Sequence, residues 1–144
     1  ALRNLLLPYK NGKKVSICDH THIDSPSKLK IGNNVSINRH CTLHAGGEIE
    51  IGNDVLIGPN VTIYSQNHNF ENHDMPIYKQ GYTCKKVTIG NNVWIASNAT
   101  ILPGVTIEDN CVIGANTLVN KNIKKGSLVV GNPCRVIKKK GTND

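Results

Sequence analysis

The chain has 144 residues, enough for one domain with a short tail. Aromatic residues make up only 4% of it, so the core has to come from Ile, Val and Leu, which suit the pleated surface of strands. The net charge of +7 is concentrated near one end, where Lys121, Lys124, Lys125, Arg135, Lys138, Lys139 and Lys140 crowd the last quarter. A basic end of this kind suits phosphate groups or an acidic surface. Basic residues interleaved with exposed aromatics for base stacking are missing, which argues against nucleic acid. The five cysteines are odd in number and form no CxxC, so neither a disulfide framework nor a zinc site is expected, and single buried thiols are. No stretch approaches the roughly 20 apolar residues of a transmembrane helix. Residues 1–8 contain "LLLP" but lack a signal-peptide layout, so the expected compartment is the cytoplasm.

In chain order, residues 1–14 carry no period and are expected to form an N-terminal cap. From residue 15 to 123 a large aliphatic residue recurs every sixth position. Ile17 and Ile23 begin it, then Ile31, Ile37 and Leu43, then Ile51, Ile57 and Ile63. Ile89, Ile95, Ile101, Ile107, Ile113 and Val119 keep it without a break. The period slips three times, to eight residues between Ile23 and Ile31, eight between Leu43 and Ile51, and twenty-six between Ile63 and Ile89. Each slip follows the last member of a group. Three sides of six therefore make one triangular coil, and every insertion leaves from the same corner. The turn-rich "GNN", "GND", "GPN" and "EDN" mark corners. Coils of this kind stack as parallel ladders about 4.8 Å apart, and about five of them are expected. Residues 64–86 form one long corner loop, and residues 124–144 a basic C-terminal cap. No run shows the 3.6 period of an α/β domain or the longer period-two strands of a sandwich.

The segment "IGNNVWIASNATILPGVTIEDNCVIGANTLVNKNI", followed by "GNPCRVI", resembles the hexapeptide-repeat acyltransferases. The resemblance covers about residues 15–137 and is strongest from Val87 to Ile137. It implies an all-β fold, a left-handed parallel β-helix, and places the chain nearest the galactoside and maltose O-acetyltransferases and those acting on capsule, exopolysaccharide or lipopolysaccharide sugars. The implied activity is transfer of an acetyl group from acetyl-CoA to a sugar or glycan hydroxyl, in a homotrimer with the donor lying between neighbouring β-helices.

Chemistry is expected in the long loop, which holds His68, His73 and the only Phe and Met. A hydroxyl is a poor nucleophile at neutral pH, and an imidazole within hydrogen-bond reach removes its proton. His68 stands where the family carries its catalytic histidine in a "GHP"-like motif, although here it is flanked as Asn67-His68-Asn69 and the proline is absent. Glu71 and Asp74 are both candidates to orient it. By resemblance, Trp94 sits near the thioester and the acceptor, in one cleft with the histidine. Ala96 and Ala115 line the pantetheine arm, and Lys121 and Arg135 reach the nucleotide end. His40 and His44 lie on an earlier coil, where relatives often present Asn and Asp to the acceptor, and His73 is a further candidate there. No metal is expected on this reading.

Two other readings stand beside it. Zinc carbonic anhydrases of the gamma type share the fold and use three histidines, two at H-x4-H spacing. His68 and His73 have that spacing, with His40 or His44 as a third. A repeat scaffold without catalysis is the other alternative.

Overall fold

A coil that turns every six residues needs corners most L-residues resist, and asparagine supplies them. Asn34, Asp54, Asn92 and Asn110 at one corner, and Asn60, Asn98 and Asn116 at the next, take φ between 53 and 62°. This is the left-handed region that Asn and Asp enter more readily than other side chains. One residue earlier, the side chains of Asn33, Asn53, Asn91 and Asp109 join levels. Each side-chain oxygen accepts the backbone N–H one level before it, from Lys13, Asn33, Asn53 and Asn91 respectively, at 2.7–2.8 Å. A glycine stands ahead of the three asparagines and has no room for a side chain, since a Cβ on Gly32 would lie 2.5 Å from the Gly52 carbonyl oxygen.

The computed structural model describes residues 10–139. Between corners run three parallel sheets arranged as the faces of a β-solenoid of about six turns. The first face holds Lys10–Asn11, Leu29–Ile31, Ile49–Ile51, Val87–Ile89 and Thr106–Ile107. The second holds Val15–Ile17, Val35–Ile37, Leu56–Ile57, Trp94–Ile95, Val112–Ile113 and Ser127–Val130. The third holds His22–Asp24, Thr42–His44, Thr62–Tyr64, Thr100–Ile101 and Leu118–Val119. There is no α-helix among the described residues, and no helix long and apolar enough to cross a membrane.

The six-residue period is the core. Ile31, Ile51, Ile89 and Ile107 lie in register on the first face. Ile37, Ile57, Ile95 and Ile113 do so on the second, and Leu43, Ile63, Ile101 and Val119 on the third. All of these side chains are buried. Smaller residues two positions earlier, such as Val55, Val93 and Cys111, fill the space behind each corner.

All three slips of the period leave the passage from the third face to the first. Pro26–Lys28 and Ala45–Gly47 are single 3-10 turns there, and the long loop leaves from the same corner one level on. One side precedes the first aliphatic side found in the sequence, and the sixth turn is the one that Ile123 and Ser127–Val130 add at the other end. Asn11 pairs with Ile31 on the first face, so a polar residue fills the aliphatic place and the period does not reveal it. At the other end Ser127–Val130 joins the second face and folds back antiparallel as Arg135–Lys139, which covers that edge of the sheet. Residues 1–9 of the expected N-terminal cap and 140–144 of the basic tail lie outside the described residues. No disulfide joins the five cysteines, all of which lie among the described residues. Cys41 and Cys111 are buried, and burial pushes both thiols up, whereas Cys84 is exposed on the long loop instead of buried.

Ile95 is fully buried between Ile57 and Ile113. Ile95→Ala is expected to lower the unfolding free energy by about 2–5 kcal/mol in denaturant titration. A loss much below that range would show that the aliphatic columns do not hold the coil together.

Candidate active site

The long loop begins as a β-hairpin. Gln66–His68 pairs antiparallel with Tyr82–Cys84, which sets His68 opposite Tyr82. Its base is clamped by Ser65, which is fully buried. The Ser65 hydroxyl donates to the His44 carbonyl at 2.6 Å and accepts the Gly47 N–H at 2.9 Å, while its own carbonyl accepts the Lys85 N–H at 2.8 Å. Beside it, Lys86 bonds Glu50 and holds that carboxyl below its usual range. The resulting stability is present above the ordinary carboxylate pKa and fades as pH falls through the lowered one. Both side chains are well exposed, so the contribution is at most about 1 kcal/mol.

Inside the loop, Gln80 acts as a tie. Its side-chain amide donates to the Asn72 and Met75 carbonyls at 2.8 Å and accepts the Asn72 N–H at 3.0 Å. Asn69, which occupies the proline place of the family motif, gives a physical reason for the departure. Its backbone N–H, which proline lacks, donates to the Gly81 carbonyl at 3.0 Å. Its side chain donates to the Gln80 carbonyl and accepts from the Thr83 hydroxyl.

His68 is exposed and stands between two cavities. The larger, of about 390 Å³, lies between the hairpin and the corner beyond it, with Lys85, Leu102, Pro103 and Asn120 as its far wall and Glu71 on the loop side. The smaller, of about 160 Å³, is bounded by His44, Tyr64, Gln66 and Tyr82. The His68 ring rests on Tyr82, with centroids 4.5 Å apart and planes tilted by 43°. No carboxylate hydrogen-bonds the His68 ring among the described residues. Glu71 lines the larger cavity, and Asp74 is exposed in the loop, where its backbone N–H donates to the Asn72 side-chain oxygen.

The family described as "Bacterial transferase hexapeptide (six repeats)" matches residues 86–121. Galactoside O-acetyltransferase of Escherichia coli is 53% identical over 58 residues, which span 40% of this chain and 29% of that protein. A hexapeptide-repeat containing acetyltransferase of Vibrio cholerae, solved with acetyl coenzyme A, superposes with a TM-score of 0.87 at 30% identity, covering 98% of this chain and 75% of that one. The maltose O-acetyltransferase of Clostridium difficile gives 0.85 at 35% identity, covering 96% and 73%. The chain belongs to the hexapeptide-repeat acetyltransferase family. The alignment nevertheless spans less than a third of the length of the E. coli relative.

Within this hexapeptide-repeat chain the expected residues divide into groups. His68 and His44 border the same smaller cavity. Lys121 follows Asn120 at the far wall of the larger one, and Arg135 opens the last strand; both are exposed. Trp94 is on the second face, flanked by Leu56 and Val112, and lines neither cavity around His68. Ala96 and Ala115 follow at the next corner, where the Ala96 N–H donates to the Ile113 carbonyl. One chain therefore does not place Trp94 in a cleft with His68. His40 sits at that other corner too, stacked on His20 at 5.0 Å, and His73 is exposed in a turn of the loop. Among the described residues, no three His, Cys, Asp or Glu side chains of one chain converge to hold a metal ion. Sequence reasoning missed Asp24, Tyr64 and Tyr82. The first two carried a signal: residues 24, 44 and 64 are spaced by 20, one coil plus a two-residue insertion, and so stack.

Ser65→Ala leaves the Gly47 N–H without its partner and removes one of the two hydrogen bonds to the His44 carbonyl, which keeps the Ser65 N–H. The expected cost is about 1–3 kcal/mol, read as a lower thermal midpoint together with faster proteolysis within the loop. An unchanged midpoint and cleavage rate would mean that the loop base is held elsewhere.

Proposed function

We propose that this protein is an acetyl-CoA-dependent O-acetyltransferase acting on a sugar hydroxyl, with His68 as general base. The observation that carries the reading is the position of His68 on the wall shared by two cavities, one for each substrate. The larger suits the thioester end of the donor: Leu102 and Pro103 give an apolar wall and Lys85 a positive charge, with Lys121 and Arg135 exposed beyond for phosphates. The smaller, rimmed by hydrogen-bonding side chains, suits the acceptor. The relatives are named as galactoside and maltose O-acetyltransferases, and one of the superposed structures holds acetyl coenzyme A.

The acceptor hydroxyl oxygen attacks the thioester carbonyl carbon while His68 takes the hydroxyl proton. The tetrahedral intermediate collapses, the C–S bond breaks, and the proton passes to the departing thiolate. The products are an acetyl ester and the free thiol of coenzyme A.

The separation of Trp94 from His68 supports a second part of the reading. Trp94 is exposed, as is Leu56 beside it, on a flat parallel face. A homotrimer in which the second face of one copy meets the hairpin corner of the next would bring Trp94, Ala96 and Ala115 to the cleft that His68 begins.

His68→Ala is expected to lower kcat roughly 10²–10⁴-fold with acetyl-CoA and an acceptor glycoside. Mixing unfolded His68→Ala and Trp94→Ala chains and refolding them together should restore part of the activity, because mixed assemblies contain an intact pair across one interface. Near-normal turnover of His68→Ala contradicts the base assignment, and no recovery on mixing contradicts the shared site. Replacing Lys121 and Arg135 together by Gln should weaken coenzyme A binding at least tenfold by calorimetry, and less so at high salt. Unchanged affinity would place the phosphates elsewhere.

A further inference from the structure

Beside His68 lies a second imidazole, and it is the one a carboxylate holds. His44 projects from the third face into the smaller cavity. Its Nδ1 is 2.5 Å from Asp24 Oδ2, one coil away, and both side chains are about 30% exposed. The other carboxylate oxygen, Oδ1, accepts the Ala45 N–H at 2.8 Å, so the carboxylate is fixed from two sides. An ionised carboxylate only accepts, so Nδ1 carries the proton of this bond, and in the neutral form of the ring the lone pair lies at Nε2. Tyr64 covers one face of the ring, stacking at 4.9 Å with the planes 5° apart, and His22 lies 6.4 Å away with the planes at 63°. With Nδ1 taken by Asp24, Nε2 is the ring's remaining hydrogen-bonding position. A ligand that meets it is read by hydrogen bonding.

We propose that His44, oriented by Asp24, is a specificity-determining residue that accepts a hydrogen bond from an acceptor hydroxyl other than the one acetylated. The substrate class is then a polyol ring with a second free hydroxyl close to the reacting one, and a simple alcohol or an acceptor deoxygenated at that place is disfavoured. This rests on the reading of His68 as the residue that deprotonates the acetylated hydroxyl. Tyr64 and Tyr82, on the same cavity, place the ring between the two imidazoles.

Asp24→Asn separates the hydrogen bond from mere packing. The amide oxygen keeps the Ala45 N–H, which turns the NH2 toward Nδ1, so the proton of the ring moves to Nε2 and the acceptor is lost with the side chain still in place. With p-nitrophenyl β-D-galactopyranoside as probe, His44→Ala and Asp24→Asn should each raise the acceptor KM about tenfold or more, the worth of one well-placed hydrogen bond. The acetyl-CoA KM should not move. His44→Gln, whose amide reaches the place of Nε2, should recover most of the loss, and its thermal midpoint checks that the fold is kept. Imidazole 15N spectra read the same claim without turnover. His44 should be protonated at Nδ1 in the wild type and at Nε2 in Asp24→Asn, and only the wild-type Nε2 resonance should shift as the glycoside is titrated in.

An acceptor KM unchanged in both variants, or a His44 resonance indifferent to the glycoside, overturns the proposal. A collapse of kcat in His44→Ala equal to that in His68→Ala also overturns it, because His44 would then be the base itself. A resonance that shifts with glycoside in a protein that His68→Ala leaves fully active defeats only the base assignment and leaves the role of His44 standing.

Discussion

Register between coils governs this molecule. Each strand finds its hydrogen-bond partners only in the strand one coil before and one coil after, and each aliphatic side chain packs on its equivalent. A residue added within a face would turn every following side chain of that strand to the wrong side. Additions are tolerated only where the chain has already left one face and not yet joined the next. The two corners built on left-handed Asn and on side-chain oxygens are themselves part of the ladder and accept none. The third corner has single cross-level bonds, as from the Ala45 N–H to Asp24 and from the Thr106 N–H to Asn122, but no side-chain oxygen that repeats at one position from level to level among the described residues, and all the added chain is there.

That restriction concentrates the chemistry. The hairpin leaves a rigid post at a clamped base, so a loop of more than twenty residues holds His68 with few degrees of freedom. Loops placed by a stiff scaffold are where binding and catalysis are usually found. The faces contribute in a different way. Outward positions of the third face one coil apart stand over one another, which is how Asp24, His44 and Tyr64 form a column beneath the hairpin. The second face offers a flat surface carrying Trp94 and Leu56, on a different side of the triangle from His68.

Much of this was readable from spacing alone. The Ile columns and the single corner of insertion needed only the six-residue period and the places where it slips. His40 and His44 show where the reading fell short. Both lie on the same coil, yet His40 occupies a left-handed corner position and stacks on His20, while His44 points outward from a strand and reaches the site. Counting positions within the coil separates them; counting coils does not. Trp94 illustrates the same lesson, since its place follows from the face it is on and not from its nearness in sequence to the loop. The strand at Lys10–Asn11 was hidden because Asn11 fills an aliphatic place, and its pairing depends on backbone hydrogen bonds that accept any side chain. The role of Asn69 was hidden because it depends on a backbone N–H across the hairpin.

The most direct measurement is a crystal structure of the protein with coenzyme A and an acceptor glycoside together. The account predicts the thiol in the larger cavity against Leu102 and Pro103, the glycoside in the smaller one, and His68 between them with Trp94 of a neighbouring copy closing the site. Coenzyme A bound on the open first face, or a thiol that does not approach His68, would contradict it.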